Sequence, residues 1–171
     1  MTAPPPHASE TVALLGLGSN LGDRAATLRS AVEALHRTDG IEVVAVSGFV
    51  TTEPVGRIDQ PMFLNAAATV RTSLTPRQLL EACLSIERQH GRERIERWGP
   101  RTLDIDLLLF ADRIIDEPGL HVPHPRMHER LFVLIPAAEI AGDMRHPARQ
   151  RDVRSMLGAL QNAGESAPAH C

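Results

Sequence analysis

The segment Leu103-Asp-Ile-Asp-Leu-Leu-Leu-Phe110 predicts a β-strand, because this short apolar run follows the chain breakers Gly99 and Pro100. Its apolar content favours a central position in a sheet. Side chains two residues apart on a strand project from the same face, so Asp104 and Asp106 present two carboxylates side by side. The strand therefore combines an apolar structural part with a charged end.

The elements before this strand predict the fold. Three more strands are expected at residues 11–17, 41–50 and 63–71, and two helices at residues 23–37 and 75–90. Thr75 and Gln78 form a capping box at the start of the second helix. The order β, α, β, β, α, β is the split βαβ arrangement, so we expect an α+β fold with a ferredoxin-like βαββαβ antiparallel sheet and helices packed on one face. A weaker helix at residues 129–140 forms a C-terminal extension.

The length of 171 residues suits one domain, which we expect at residues 11–159. Residues 1–10 and 160–171 are poor in large apolar groups, and we expect flexible tails there. The sequence has no apolar run of the roughly 18 residues that a membrane helix needs, and its start lacks the pattern of a secretory signal. We therefore expect a cytoplasmic monomer that has no membrane partner.

The charge of the chain is mildly acidic, and its basic side chains other than histidine are all arginine. Eighteen Arg and no Lys stand against 21 Asp plus Glu, which gives a net charge of -3. This balance excludes a polycation that coats nucleic acid or an anionic membrane, so any anion binding is local. Codon bias in a GC-rich genome is one explanation for the missing Lys. The alternative is that some Arg are placed to bind phosphate bidentately.

The carboxylate pair Asp104 and Asp106 predicts a metal site. Two like charges on one strand face are costly unless a cation lies between them, and this strand is otherwise apolar. Mg²⁺ prefers oxygen ligands and is usually held by one or two carboxylates together with substrate phosphates. The alternative is a pair of solvated carboxylates at a strand edge.

An arginine-rich segment precedes the pair. Five of the 18 Arg lie within fourteen residues, at Arg88, Arg92, Arg94, Arg97 and Arg101. Arginines in a loop beside metal carboxylates are typical of phosphoryl transfer, in which positioning and charge neutralisation supply most of the catalysis. The alternative is a solvated helix extension, in which Glu93 and Glu96 pair with the arginines.

Two further groups of residues have a predicted binding role. His124 and Arg130 are candidate donors to phosphate, and a zinc site at the neighbouring histidines is disfavoured because Pro123 and Pro125 prevent one helix from aligning the rings. Phe63 and Asn65 share one strand face, which gives a stacking surface beside an amide and suits a flat heterocycle, although core packing is the alternative for Phe63.

The glycines Gly16, Gly18 and Gly22 match neither a Rossmann loop nor a P-loop, and turn geometry with Asp23 or Asn20 as a helix cap is expected there.

Several strings of residues resemble one family, the 6-hydroxymethyl-7,8-dihydropterin pyrophosphokinases of folate biosynthesis. The most specific string is Arg97-Trp-Gly-Pro-Arg-Thr-Leu-Asp-Ile-Asp106. The others are Leu17-Gly-Ser-Asn-Leu-Gly-Asp23, Thr52-Glu-Pro-Val-Gly56, Asp59-Gln-Pro61, Phe63-Leu-Asn-Ala66, Val122-Pro-His-Pro125 and Arg130-Leu-Phe132. The resemblance spans roughly residues 12 to 147. It implies an enzyme that uses ATP and two Mg²⁺ ions to transfer pyrophosphate to a pterin hydroxymethyl group and that releases AMP.

The resemblance also implies roles for individual residues. Asp104 and Asp106 look like the ligands of both metal ions, and Asp106 is a candidate acceptor of the alcohol proton. The expected ATP contacts are Glu87, Arg92, Trp98, Arg101, His124 and Arg130. The pterin contacts expected are the rings of Phe63 and Phe132, the side chain of Asn65, and the backbone of Thr52, Glu53 and Val55. Arg92, Arg94, Arg101 and Asp106 are the expected catalytic residues.

Two other classes of function use some of the same features. A metal-dependent nuclease or nucleotidyltransferase also needs an Asp pair and arginines, but it should show a basic groove with several stacking aromatics, and this chain has few of either. A non-enzymatic ferredoxin-like binding module needs neither carboxylate. Small-molecule substrates and no nucleic acid are therefore expected.

Overall fold

The computed structural model describes residues 10–54, 59–91 and 102–165, and within these ranges it contains four α-helices and three antiparallel sheets. The helices are α1 (Arg24–His36), α2 (Pro76–Gln89), α3 (Leu131–Ala141) and α4 (Val153–Glu165). The main sheet consists of β1 (Thr11–Ser19), β2 (Ile41–Val46), β3 (Val50–Thr52), β4 (Phe63–Thr72) and β5 (Asp104–Phe110). Two hairpins pair β6 (Ile115–Glu117) with β7 (Leu120–Val122), and β8 (Arg145–His146) with β9 (Arg151–Asp152).

The main sheet has the predicted ferredoxin-like arrangement. Its strand order is β2-β4-β1-β5, every pairing is antiparallel, and β3 also pairs with β4. The strand predicted at residues 41–50 is present as two pieces along one edge of β4. The interruption begins at Ser47, whose hydroxyl accepts a hydrogen bond from the backbone of Ala67 at 2.8 Å, while the Ser47 backbone N–H donates to the Ala67 oxygen at 2.9 Å.

The prediction of a central position for the Leu103–Phe110 strand is wrong. β5 pairs only with β1 and forms an edge of the main sheet among the described residues. Its side chains are apolar because helices cover both faces of the sheet at this point. Ile105 and Leu107 pack in the cluster beneath α1 and α2, and Leu108 packs in the cluster beneath α3 and α4.

Helices on both faces also correct the expectation that helices pack on one face. The first face is covered by α1 and α2, as the βαββαβ order predicts, and Leu28, Leu35, Leu79 and Cys83 are fully buried there. The second face is covered in part by α3 and α4 of the C-terminal extension, which bury Leu14, Ala67 and Leu108. The sheet is therefore the middle layer of three.

The C-terminal helix α4 extends past residue 159, where the predicted domain ends, and runs to Glu165. Leu160 packs against the second-face cluster with Leu157. The apolar positions Val153, Met156, Leu157 and Leu160 follow helical spacing, which accounts for the longer helix. No helix in the described part of the chain is long and apolar enough to span a membrane.

Both predicted helix starts of the βαββαβ unit have side-chain caps. The Thr75 hydroxyl accepts a hydrogen bond from the Gln78 backbone at 3.2 Å, and the Gln78 side chain accepts one from the Thr75 backbone at 2.9 Å. This confirms the predicted capping box. Asp23 caps α1 by accepting a hydrogen bond from the Ala26 backbone at 3.0 Å. These caps fix where each helix leaves the sheet.

Candidate active site

One row of residues crosses three strands at the uncovered end of the second face. In the strand register, Gly18 of β1 lies between Asn65 of β4 and Asp104 of β5, and Gly16 lies beside Asp106. Neighbouring strands are about 4.8 Å apart, so the backbones of Asn65 and Asp104 are separated by about 10 Å. Gly18, the central residue of this row, has no side chain that could fill the gap.

The two glycines therefore form part of a binding surface. The expected turn role applies to Gly22, whose φ is +64°, whereas Gly16 and Gly18 lie inside β1. A Cβ atom on Gly18 would lie 3.1 Å from the side-chain oxygen of Asn65 and would displace that amide. Glycine at this position keeps the gap between Asn65 and the carboxylates open.

A cavity of about 600 Å³ opens above this row. Its lining includes the predicted pterin contacts Thr52, Glu53, Phe63, Asn65 and Phe132, and the predicted metal and phosphate contacts Asp104, Asp106 and Arg130. Residues from Thr52 to Phe132, up to 80 positions apart in sequence, thus meet in one pocket of the size that small-molecule sites have. The structure brings the predicted aromatic, amide, carboxylate and guanidinium groups together.

The amide of Asn65 is held in place by its neighbours. Asn65 is buried, and its side-chain nitrogen donates a hydrogen bond to the Thr52 hydroxyl at 2.7 Å. Asn20, at the end of β1, donates to the side chain of Gln60 at 3.0 Å and to the backbone oxygen of Pro61 at 3.2 Å. These bonds of Asn20 hold residues 60 and 61, which lie just before β4 begins at Phe63.

The imidazole of His124 is neutral and has a defined tautomer. Its Nδ1 accepts a hydrogen bond from the Arg126 backbone at 3.1 Å, so Nε2 carries the proton. Burial, and then the nearby Arg130 guanidinium, lower the pKa of His124 to about 4. The His124 backbone donates to the Leu108 oxygen at 2.9 Å, which holds the residue against β5. His124 can therefore act as a hydrogen-bond donor through Nε2, and it does not belong to the residues that line the cavity.

The turn after His124 carries three charged residues to the cavity. A 3₁₀ turn, Met127–Glu129, is followed directly by α3, and Arg126, Glu129 and Arg130 all line the pocket. The Arg130 guanidinium lies 5.6 Å from the centre of the Phe132 ring. The first turn of α3 contains no acidic residue, so the partial positive charge of the helix N-terminus adds to these cations.

Glu87 lies behind the sheet rather than in the cavity lining. Its side chain is 2% exposed, and its carboxylate accepts a hydrogen bond from the Ile105 backbone at 2.8 Å. Ile105 lies between Asp104 and Asp106, so this bond fixes the peptide that separates the two carboxylates. The bond positions β5, and the predicted ATP contact of Glu87 remains a prediction.

The remaining predicted site residues lie outside the described part of the chain. They are Val55, Arg92, Arg94, Trp98 and Arg101. The predicted roles of these five residues remain predictions.

The cavity also has walls that the sequence did not predict as site residues. Three of them, Leu160, Ala163 and Gly164, come from the last turns of α4, in the region expected to be a tail. The signal for them was the helical spacing that ends at Leu160. Gln60 and Arg126 also line the cavity. Gln60 belongs to the motif Asp59-Gln-Pro61, whereas Arg126 follows the motif that ends at Pro125, and no spacing rule distinguishes either residue from a surface residue.

Comparison with known proteins identifies the family of this chain. Residues 14–142 match the family model described as 7,8-dihydro-6-hydroxymethylpterin-pyrophosphokinase (HPPK). This chain belongs to the HPPK family.

Two bacterial relatives illustrate the likeness, and both are named 2-amino-4-hydroxy-6-hydroxymethyldihydropteridine pyrophosphokinase. The protein of Methylorubrum extorquens is 54% identical over 154 residues, which cover 90% of this chain and 96% of the relative. The protein of Bacillus subtilis is 53% identical over 129 residues, which cover 75% of this chain and 77% of the relative. As an HPPK family member, the chain is an ATP-dependent diphosphokinase of the folate biosynthesis class.

Solved structures of the HPPK family share the fold. A crystal structure of an HPPK-DHPS in complex with substrates has a TM-score of 0.71 at 14% identity, and an HPPK-DHPS of Plasmodium falciparum with pteroate has a TM-score of 0.72 at 14% identity. These alignments cover 91% and 92% of this chain and 44% of each solved chain. The chain thus spans less than half the length of these structures.

Proposed function

We propose that this enzyme transfers the β,γ-pyrophosphoryl group of ATP to the hydroxymethyl oxygen of 6-hydroxymethyl-7,8-dihydropterin, releases AMP, and requires two Mg²⁺ ions. The observation that carries the proposal is the row Asn65, Gly18 and Asp104 across β4, β1 and β5. This row places an amide that suits a heterocycle edge beside a carboxylate that suits a metal ion, with open space between them.

The residues present fit Mg²⁺ as the metal. Asp104 and Asp106 line the cavity from one strand face and offer the carboxylate oxygens that this ion prefers. Within the described ranges, no group of three or more His, Cys, Asp or Glu side chains forms a metal site. That donor set fits an ion whose other ligands are water and substrate phosphate. When bound, Mg²⁺ supplies neutralisation of the phosphate charge.

The phosphate-binding groups lie on the segment between β7 and α3. Arg130 offers a bidentate guanidinium at the cavity, and His124 offers an Nε2–H donor. In the transfer step, the alcohol oxygen bonds to the β-phosphorus, and the bond from that phosphorus to the oxygen that it shares with the α-phosphorus breaks. The electron pair of the broken bond stays on AMP, where cationic and N–H donors stabilise it. The alcohol proton leaves to Asp106 or to water.

The pterin end of the cavity supplies orientation. Phe63 and Phe132 line it with flat rings, and the buried Asn65 can read the edge of a bicyclic heterocycle. Because Thr52 already accepts a hydrogen bond from the Asn65 nitrogen, the amide orientation is fixed before substrate binds. A preorganised amide lowers the entropic cost of holding the hydroxymethyl group in line with the phosphate.

The test is incubation of the protein with ATP, Mg²⁺ and 6-hydroxymethyl-7,8-dihydropterin, with AMP measured as the product. Wild type is expected to release AMP only when pterin is present. Asp104→Ala is expected to lower the rate by about 10³-fold, because it removes a carboxylate from the predicted metal site.

Asp112→Ala is the matched control, since Asp112 is an exposed aspartate just beyond β5 that does not line the cavity. It removes the same charge and is expected to retain wild-type activity. Release of ADP in place of AMP, or full activity of Asp104→Ala, would contradict the proposal. Pterin-independent release of AMP would instead favour a nucleotidyltransferase or nuclease.

A further inference from the structure

Arg126 lines the cavity, although no motif of the sequence gives it a role. It precedes the 3₁₀ turn Met127–Glu129, and this turn directs residues 126, 129 and 130 to the same pocket. Asp104 and Asp106 line that pocket as well. Arg126 thus brings a second guanidinium, in addition to that of Arg130, to the pocket that contains the two carboxylates.

The described side chains that line the cavity carry more negative than positive charge. Its described residues include four carboxylates, at Glu53, Asp104, Asp106 and Glu129, and two guanidiniums, at Arg126 and Arg130. The side chains described there thus have an excess of two negative charges, which opposes the entry of a polyphosphate. Arg126 supplies half of the described guanidinium charge. Its removal should therefore be felt by an anionic ligand.

One partner of Arg126, the carboxylate of Glu129, resembles a phosphate in its hydrogen-bond acceptors. Its Nε lies 3.3 Å from a carboxylate oxygen of Glu129, and the two side chains are each 52% exposed. Carboxylate and phosphate oxygens are equivalent acceptors for a guanidinium. An ion pair this exposed is weak and is readily exchanged for a stronger anion.

We infer that Arg126 is an additional contact to the nucleotide phosphates, and that Glu129 is the internal carboxylate it leaves when the nucleotide binds. This inference rests on the proposed function, because it takes the polyphosphate of ATP as the ligand. It adds a binding residue and an internal competitor to the site.

The backbone around Arg126 supports the same assignment. Its N–H donates to His124 Nδ1 at 3.1 Å, so the residue is joined to the imidazole whose Nε2–H is a proposed phosphate donor. The charge of Arg126 also contributes to the low pKa of His124, after burial and the charge of Arg130. Arg126, His124 and Arg130 thus form one group of donors on a single short segment.

The experiment is calorimetric titration of the full chain with MgATP in the absence of pterin. Arg126→Ala is expected to raise the Kd about five- to tenfold, and Arg126→Lys about two- to threefold, because Lys keeps the charge but loses the fork. Arg113→Ala is the matched control, since Arg113 is exposed, does not line the cavity, and carries the same charge. It is expected to bind MgATP as wild type does.

Glu129→Gln tests the second half of the inference. It removes the competing carboxylate while keeping the length of the side chain, so MgATP is expected to bind about two- to threefold more tightly. In the double variant Arg126→Ala/Glu129→Gln, this gain should shrink, because part of it acts through Arg126. Circular dichroism of each variant checks that the fold is retained.

The possible outcomes distinguish failure of the proposed function from failure of the inference about Arg126. If wild type fails to bind MgATP, the proposed function is overturned and the inference fails with it. If wild type binds MgATP but Arg126→Ala and Arg113→Ala have equal Kd values, only the inference is overturned. Weaker binding by Glu129→Gln would show that this carboxylate holds the nucleotide, which also contradicts it.

Discussion

The two faces of the main sheet are built from the same strands but are closed to different extents. On the first face, α1 and α2 cover the strands with fully buried aliphatic side chains. On the second face, α3 and α4 cover one end, and the other end holds the cavity with Asn65, Asp104 and Asp106. In β5, the side chains of Ile105 and Leu107 lie on the first face, and the two carboxylates lie on the second.

On this sheet, the residues that stabilise the fold and the residues of the candidate site lie on different faces. The side chains of the first face are closely packed, so deleting even one methylene group there leaves a void and lowers the free energy of unfolding. The open end of the second face tolerates glycine and charged residues because these residues line an open cavity. Variants that delete the same atoms on the two faces should therefore have unlike effects.

The largest expected effect on stability is on the first face. Leu35→Ala removes a fully buried side chain of α1 and is expected to lower the free energy of unfolding by about 3 kcal/mol. Its KM values should match those of wild type, because Leu35 does not line the cavity. Urea denaturation and steady-state kinetics measure the two quantities.

Leu131→Ala is the matched variant on the second face, where Leu131 is 42% exposed at the cavity. It deletes the same atoms and is expected to cost less than about 1 kcal/mol. A cost equal to that of Leu35→Ala would contradict the contrast between the faces.

A smaller effect is expected where one side chain connects the two faces. Glu87 belongs to α2 on the first face, and its carboxylate bonds the backbone between the two carboxylates of the second. Glu87→Ala is expected to cost about 2 kcal/mol of unfolding free energy, since it leaves a buried N–H without its acceptor. The variant should also raise the Mg²⁺ concentration needed for half-maximal activity, because the peptide between Asp104 and Asp106 is no longer held.

Glu87→Gln separates the hydrogen bond from the charge, because its side-chain oxygen can still accept from Ile105. It should be more stable than Glu87→Ala in the same urea titration. Equal losses in the two variants would indicate that the negative charge, and not the bond to Ile105, stabilises β5.

The smallest expected effect is the pH dependence contributed by His124. Its pKa is about 4 in the folded protein against 6.5 for an ordinary histidine, so the unfolded chain binds more protons between these values. The contribution is fully present above pH 6.5 and is lost as the pH falls toward 4. After allowance for partial exposure, it amounts to about 1 kcal/mol.

His124→Asn should reduce this pH dependence, because Asn keeps an acceptor for the Arg126 backbone but does not titrate. Unfolding free energies at pH 7.0 and pH 4.5 are compared for the two proteins, where the wild type is expected to lose about 1 kcal/mol more than the variant. His128 and His146, whose pKa values are also lowered, are present in both proteins and cancel. An identical loss in the variant would contradict the assignment.

The sequence predicts which site residues share a strand face, but it does not predict the position of β5 in the sheet or the site role of Arg126. Strand alternation places Asp104 with Asp106, and Phe63 with Asn65, without any knowledge of tertiary structure. The edge position of β5 was missed because burial by helices and burial by neighbouring strands leave the same apolar pattern. Arg126 was not assigned because its position depends on one 3₁₀ turn, for which the sequence has no periodic signal.

The α4 helix has a consequence for the order in which the site is made. The cavity lining runs from Gly16 to Gly164, so its first and last parts are almost the full described chain apart. During synthesis from the N-terminus, the sheet and the first-face core can form while the chain is still being extended. The pocket has no α4 wall until the residues through Gly164 have left the ribosome. Ligand binding can therefore report on completion of the chain, whereas stability of the first face cannot.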